Sequence, residues 1–276
     1  MFKDARTDAA ILVVEDLTIG AVGSDEKPLV SHVSLALERG QTIGIVGESG
    51  SGKSLTCKAI LGILPQTLEV RGGSIRFEDV DVTRFTQRDW LPYRAERISA
   101  IFQDPGSYLN PSLRVGKQLS EVLRVRGGLG SDEAYDRAIA LFEAVGLRDP
   151  ELVYRKYPFE LSGGMIQRVV IAIALALKPD LLIADEATTA LDVTIQAEVL
   201  GLLRRLRDEY QLSLLFVSHD LAVISEIADY VLVMYGGEII EQGPTLDVLL
   251  SPQAEYTRLL VRDHREYGLE KVLGER

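Results

Sequence analysis

Hydrophobic and polar positions follow two different rhythms along this chain. Residues 11–14 (Ile-Leu-Val-Val) and 30–37 read as strands, separated by a polar hairpin loop over 20–28. After the turn Glu38-Arg39-Gly40, the apolar run Ile43-Gly44-Ile45-Val46 forms the next strand, and residues 73–77 and 98–102 predict two more. From about 103 to 179 the pattern is mostly helical. Residues 133–145 have the spacing of an amphipathic helix, preceded by the loop 126–131 and capped by Ser131 or Asp132. Strands then return. Residues 181–184 and 214–217 are continuous apolar runs, as in parallel strands buried on both faces. Between them 194–210 reads as a helix whose basic stripe, Arg204, Arg205 and Arg207, is a solvated face. Residues 230–234 and 238–242 predict a terminal hairpin through Gly236-Gly237, with helices after it. The class implied is α/β: a mixed sheet with flanking helices over 10–102 and 179–243, interrupted by a helical subdomain over 103–178 and followed by helices over 244–276.

Composition narrows the partners. At 276 residues the chain can bury a sizeable core, and its charge balance is 30 − 41 = −11. An acidic chain without a Lys/Arg block is a poor match for a nucleic-acid binder or a polybasic membrane anchor. A single cysteine, Cys57, cannot staple a monomer, which fits a reducing compartment; it reads as a small buried hydrophobe. Residues 1–8 carry charges and no apolar signal-peptide core. The longest apolar run, 169–177, is bounded by Arg168 and Lys178, far short of the roughly 20 residues a membrane helix needs. The chain is not expected to span a membrane itself.

Chemistry concentrates in a few short stretches. Gly47-Glu48-Ser49-Gly50-Ser51-Gly52-Lys53-Ser54 fits the phosphate-loop pattern G-x-x-x-x-G-K-[ST] in full, between a predicted strand and a helix opening at Leu55. Its glycines let backbone N–H groups face phosphate oxygens at a helix N-terminus. Lys53 supplies charge for the β- and γ-phosphates, and the Ser54 hydroxyl a Mg²⁺ ligand. ATP and Mg²⁺ are the expected ligands. A second stretch, Leu161-Ser162-Gly163-Gly164-Met165-Ile166-Gln167-Arg168, places a hydroxyl and two glycine N–H groups at the start of another helix. By itself this is either an ordinary Ser N-cap or an anion site.

Acids and imidazole complete the candidate set. Asp185 and Glu186 end a buried apolar strand at its carboxyl end, where ligands of open α/β sheets lie. Asp185 is expected to hold Mg²⁺ directly or through water, and Glu186 to polarise the attacking water. Gln103, after the strand 98–102, begins the helical lobe and is a candidate for Mg²⁺ or that water. His219 closes the strand 214–218 and is placed for the γ-phosphate; His32 and His264 read as structural. Asp192 ends the loop Thr189-Ala190-Leu191-Asp192, from which its carboxylate is a candidate to cross a dimer interface.

The stretch 161–168 resembles the signature of ATP-binding cassette (ABC) proteins. With the phosphate loop, Gln103, Asp185-Glu186, Asp192 and His219 in this order, the resemblance runs from about residue 11 to 262. It implies an ABC nucleotide-binding domain, an ATPase, two of which form a head-to-tail sandwich. Each ATP then lies between one subunit's phosphate loop and the other's Ser162, Gly163, Gly164 and Gln167. The implied partners are a sister ATP-binding subunit, two transmembrane permease subunits and, indirectly, a substrate-binding protein. The implied place is the cytoplasmic face of the plasma membrane, with no nucleic acid involved. Soluble ABC proteins of repair or translation usually carry two cassettes or long coiled-coil insertions, and this chain has one cassette with a compact lobe. Ile101-Phe102-Gln103-Asp104-Pro105, Leu109-Asn110-Pro111 and Tyr157-Pro158-Phe159-Glu160 are similar to importers of the dipeptide/oligopeptide/nickel group. Ser54-Leu55-Thr56-Cys57, Leu61-Gly62-Ile63-Leu64-Pro65 and the tail 264–270 look most like its nickel branch. Two departures stand out. The family's adenine-stacking aromatic is missing, since no Phe, Tyr or Trp lies between Phe2 and Phe77; aliphatic contact replaces it or stacking comes from elsewhere. Ala187 also stands where proline is common.

Overall fold

A computed structural model describes residues 10–188 and 192–264. The chain divides into two compact units, one made of residues up to 91 together with those from 211 onward, the other of Pro92–Tyr210.

The first unit holds two sheets. In one, β1 (Ala10–Ala21) pairs antiparallel with β2 (Val30–Glu38) and with β4 (Leu68–Phe77), and β4 with the short β5 (Val80–Asp81). Strand β1 reaches further than its apolar core because a register shift at 14–17 places Glu15 and Asp16 outward and then returns Leu17 and Ile19 to the interior. In the other sheet, β3 (Thr42–Val46) lies between β8 (Ser213–Ser218) and β9 (Tyr230–Tyr235) and runs parallel to both. Strands β3 and β8 are buried along their whole length, which is why their sequences read as unbroken apolar runs. Strand β10 (Glu238–Pro244) closes the edge as the antiparallel arm of a hairpin with β9. Helices α1 (Lys53–Ile60), α7 (Leu221–Ile227), α8 (Thr245–Leu250) and α9 (Glu255–His264) complete this unit, α9 packing on α7.

The second unit pairs β6 (Ile98–Ile101) in parallel with β7 (Leu181–Asp185) and adds five α-helices among its described residues. These are α2 (Val115–Val125), α3 (Ser131–Ala144), α4 (Pro150–Tyr154), α5 (Gly163–Ala174) and α6 (Val193–Tyr210), of which α5 packs on β6. Besides the helical stretch 103–178, this unit takes in strands β6 and β7 and helix α6. Helix α3 begins after Gly130 rather than at a Ser131 or Asp132 cap. The Glu133 carboxylate accepts from the Gly130 N–H at 3.2 Å, and that bond, not a hydroxyl or aspartate, closes the first turn. Ala134, Ala138, Leu141 and Phe142 of α3 are buried, the face its periodicity foretells. Cys57 is buried in α1. No described helix is long and apolar enough to cross a membrane.

Candidate functional site

Parallel pairing decides where the candidate residues stand. In the first unit Val46 is level with Ser218, so the phosphate loop and His219 leave the carboxyl ends of adjacent strands. In the second, Ile101 is level with Ala184, so Gln103 and the pair Asp185-Glu186 leave the same end of β6 and β7. Each unit thus gathers its candidates at one sheet edge, where open α/β sheets hold ligands.

The phosphate loop is held from several directions. Lys53, only 3% exposed, donates from Nζ to the Gly47 and Glu48 carbonyls at 2.8 Å each. The Gly237 N–H, at the tip of the β9–β10 hairpin, donates to Ser51 O at 3.2 Å. Gly47 has no room for a side chain, because a Cβ there would lie 2.1 Å from the Met234 carbonyl oxygen. Gly52 opens α1 in a left-handed conformation, φ 102°, that turns the loop into the helix. The arrangement presents a buried ammonium and a helix N-terminus at one place, which is anion-binding chemistry. Ser54 and Leu55, the next residues of α1, are half-buried, and His219 is exposed.

In the second unit Asp185 is 5% exposed at the end of β7, and Glu186 follows with φ 51°. A glutamate in the left-handed region is uncommon and tends to mark sites where the surrounding fold overrides backbone preference. Gln103 is exposed, and Asp104 after it also has a positive φ, 57°, so the chain turns sharply into the 3₁₀ turn Pro105–Tyr108.

The stretch Leu161–Arg168 begins α5. Ser162 is the N-cap, its Oγ accepting from Met165 N–H at 3.4 Å, and Ser162 and Gly163 are exposed. Gly164 is buried against α6, where a Cβ would meet Ile195 Cγ2 at 2.9 Å. Gln167 departs from the sequence expectation of a residue facing a partner's nucleotide. Its side chain is 1% exposed on the inner side of α5, and neither amide atom has a hydrogen-bond partner among the described residues. One turn beyond Gly164, it falls on the helix face that packs inward. Asp192 caps α6, its Oδ1 accepting from the Ile195 N–H at 2.9 Å. Residues Thr189, Ala190 and Leu191 of that loop, like the amino-terminal residues 1–8 and the tail beyond His264, lie outside the described residues.

One contact has no counterpart in the sequence argument. The Glu48 N–H donates to the hydroxyl of Tyr256, on α9, at 3.0 Å. The two residues are 208 positions apart, and no local motif marks Tyr256.

The ABC transporter family profile matches residues 30–189, which include the phosphate loop, the stretch 161–168 and Asp185-Glu186. The chain belongs to the ABC transporter family. This ABC cassette is 46% identical over 235 residues to the oligopeptide transport ATP-binding protein AppD of Bacillus subtilis, covering 85% of this chain and 72% of the relative. It is 42% identical over 251 residues to the metal-staphylopine import system ATP-binding protein CntD of Staphylococcus aureus, covering 91% and 92%. Among solved structures, the ATP-binding cassette MJ0796, a dimer in a post-hydrolysis state bound to ADP and Pi, superposes with a TM-score of 0.74. Identity there is 25%, with 85% of this chain and 98% of that one covered. The fold is that of an ABC nucleotide-binding domain, and the cassette is an ATPase of this family that binds ATP.

Proposed function

We propose that this ABC cassette is the ATP-hydrolysing motor subunit of an importer in the oligopeptide, dipeptide and metal-chelate group. The observation that carries the reading is the Lys53 ammonium, buried and held by the Gly47 and Glu48 carbonyls inside a full phosphate loop. In this reading the loop residues Gly47–Ser54 and Leu55 bind the ATP phosphates. Glu186 takes the proton of the attacking water as its oxygen bonds to the γ-phosphorus and the bond to the ADP oxygen breaks, giving ADP and phosphate. His219 contacts the γ-phosphate and orients that water, together with Gln103.

The donors suit Mg²⁺. Ser54 Oγ, Gln103 and the Asp185 carboxylate are hard oxygen ligands, and no cluster of His, Cys, Asp or Glu among the described residues could cage a metal without help. Ser54, Gln103 and Asp185 would hold the ion, which when bound neutralises charge on the β- and γ-phosphates.

A second copy or a sister ATP-binding subunit completes the site in this reading. Exposed Ser162 and Gly163, at the start of α5, face the nucleotide on the partner's phosphate loop, and Asp192 lies on the same dimer surface. Two permease subunits anchor the pair at the cytoplasmic face of the membrane and a substrate-binding protein delivers the cargo. Ser162→Arg tests the arrangement. The isolated subunit is expected to bind ATP as wild type does, while ATP-dependent association with its sister and hydrolysis are lost. Loss of ATP binding by the isolated variant, or normal association and turnover, refutes the role across the interface.

For the cargo we propose nickel or a metal chelate, on the similarity of Ser54-Leu55-Thr56-Cys57 and Leu61–Pro65 to the nickel branch. CntD, named for metal-staphylopine import, supports the metal-chelate side. A peptide is the second reading, favoured by the likeness to AppD, named for oligopeptide transport. Uptake of radiolabelled Ni²⁺, with and without a chelator, against a labelled dipeptide in a deletion strain separates them. Peptide uptake lost with metal uptake intact would overturn the metal reading.

A further inference from the structure

The peptide group between Gly47 and Glu48 is gripped at both ends. Its carbonyl, Gly47 O, accepts from Lys53 Nζ at 2.8 Å, and its N–H, on Glu48, donates to Tyr256 Oη at 3.0 Å. A single rigid plane therefore links a residue of the last described helix to the ammonium of the phosphate loop. Hydrogen bonds at the two ends of one amide polarise each other, so the Tyr256 bond also strengthens the Gly47 carbonyl as an acceptor.

Tyr256 is itself built in. Its ring centroid lies 4.6 Å from that of Tyr235, at the end of β9, which fixes the ring independently of the hydroxyl. The neighbouring Thr257 and Val261 are buried, seating α9 on the unit. The Glu241 carboxylate, from β10, accepts the N–H groups of Gln253 at 2.7 Å and Ala254 at 2.9 Å, just ahead of α9. An ordinary phenol is neutral near pH 7, and burial raises that of Tyr256 further, so its hydroxyl is available to accept the Glu48 N–H.

We propose that Tyr256 is a positioning residue for ATP binding: it fixes the Gly47–Glu48 peptide and, through that carbonyl, the place of the Lys53 ammonium. The proposal rests on the reading of 47–54 as the ATP phosphate loop and extends the site to α9. Tyr256→Phe removes the hydroxyl and keeps the ring against Tyr235. A packing role would leave ATP affinity unchanged by that substitution, whereas a positioning role would not.

The test uses the full chain titrated with MgATP, as wild type, Y256F, K53A and the double variant. Y256F is expected to weaken ATP binding about three- to tenfold, the worth of one ordinary hydrogen bond. In the K53A background the same change is expected to add nothing, because it acts through Lys53. Wild-type affinity in Y256F, or an undiminished effect without Lys53, overturns the proposal. Wild-type affinity in K53A overturns the phosphate-loop reading itself, so the two failures are told apart. Should Y256F not fold, hydrogen exchange in the nucleotide-free wild type decides. A protected Glu48 amide supports the clamp, and one exchanging at the rate of an open loop refutes it.

Discussion

Glu186→Gln is expected to leave a cassette that binds ATP and scarcely hydrolyses it. The side chains have the same size, so the left-handed turn at φ 51° and the buried Asp185 before it are undisturbed. What the amide lacks is a site that can take a proton at neutral pH. Removing a positioned base lowers turnover about 10²–10⁴-fold, and binding, which depends on the phosphate loop in the other unit, is expected to stay near wild type. Steady-state ATPase of the assembled transporter, measured beside ATP affinity, is the check. Turnover near wild type would remove Glu186 from the role of base.

Lys53→Ala is expected to act one step earlier, on binding. The ammonium is 3% exposed and already spans the Gly47 and Glu48 carbonyls, so its position is set before any nucleotide arrives. A hydrogen bond to a charged group contributes about 1.5–3 kcal/mol, which corresponds to ATP affinity on the order of 10- to 150-fold weaker. The truncation also strips two loop carbonyls of their donor, so a modest loss of thermal stability without nucleotide is expected alongside. Calorimetry that finds unchanged affinity would contradict the cradle.

The sequence makes the sheet edges legible because parallel strands buried on both faces leave unbroken apolar runs. Residues 43–46 and 181–184 each end where a candidate residue begins, and only Ser218 separates 214–217 from His219. The structure sets Val46 level with Ser218 and Ile101 level with Ala184. Motifs written in consecutive residues were legible for the same reason: a phosphate loop and a helix N-cap are local geometry. Burial was harder to read. Gln167 sits in a motif, yet its place on the inner side of α5 depends on what packs there. The grouping of β6, β7 and α6 with the helical lobe depends likewise on contacts between distant segments. Tyr256 was illegible altogether, since an interaction spanning 208 positions leaves no periodicity and no spacing to find.

Gly164 and Ile195 share one volume: the space a side chain would need at the start of α5 is filled by a methyl group from α6. Two positions so placed are not independent letters. The methyl group added at 164 meets Ile195 Cγ2 at 2.9 Å, so Gly164→Ala is best tolerated beside Ile195→Ala, which removes that carbon, and not beside Ile195→Val, which keeps both γ carbons. Variant libraries of this chain that randomise 164 alone will mostly sample collisions, and those that vary 195 with it will find the allowed combinations.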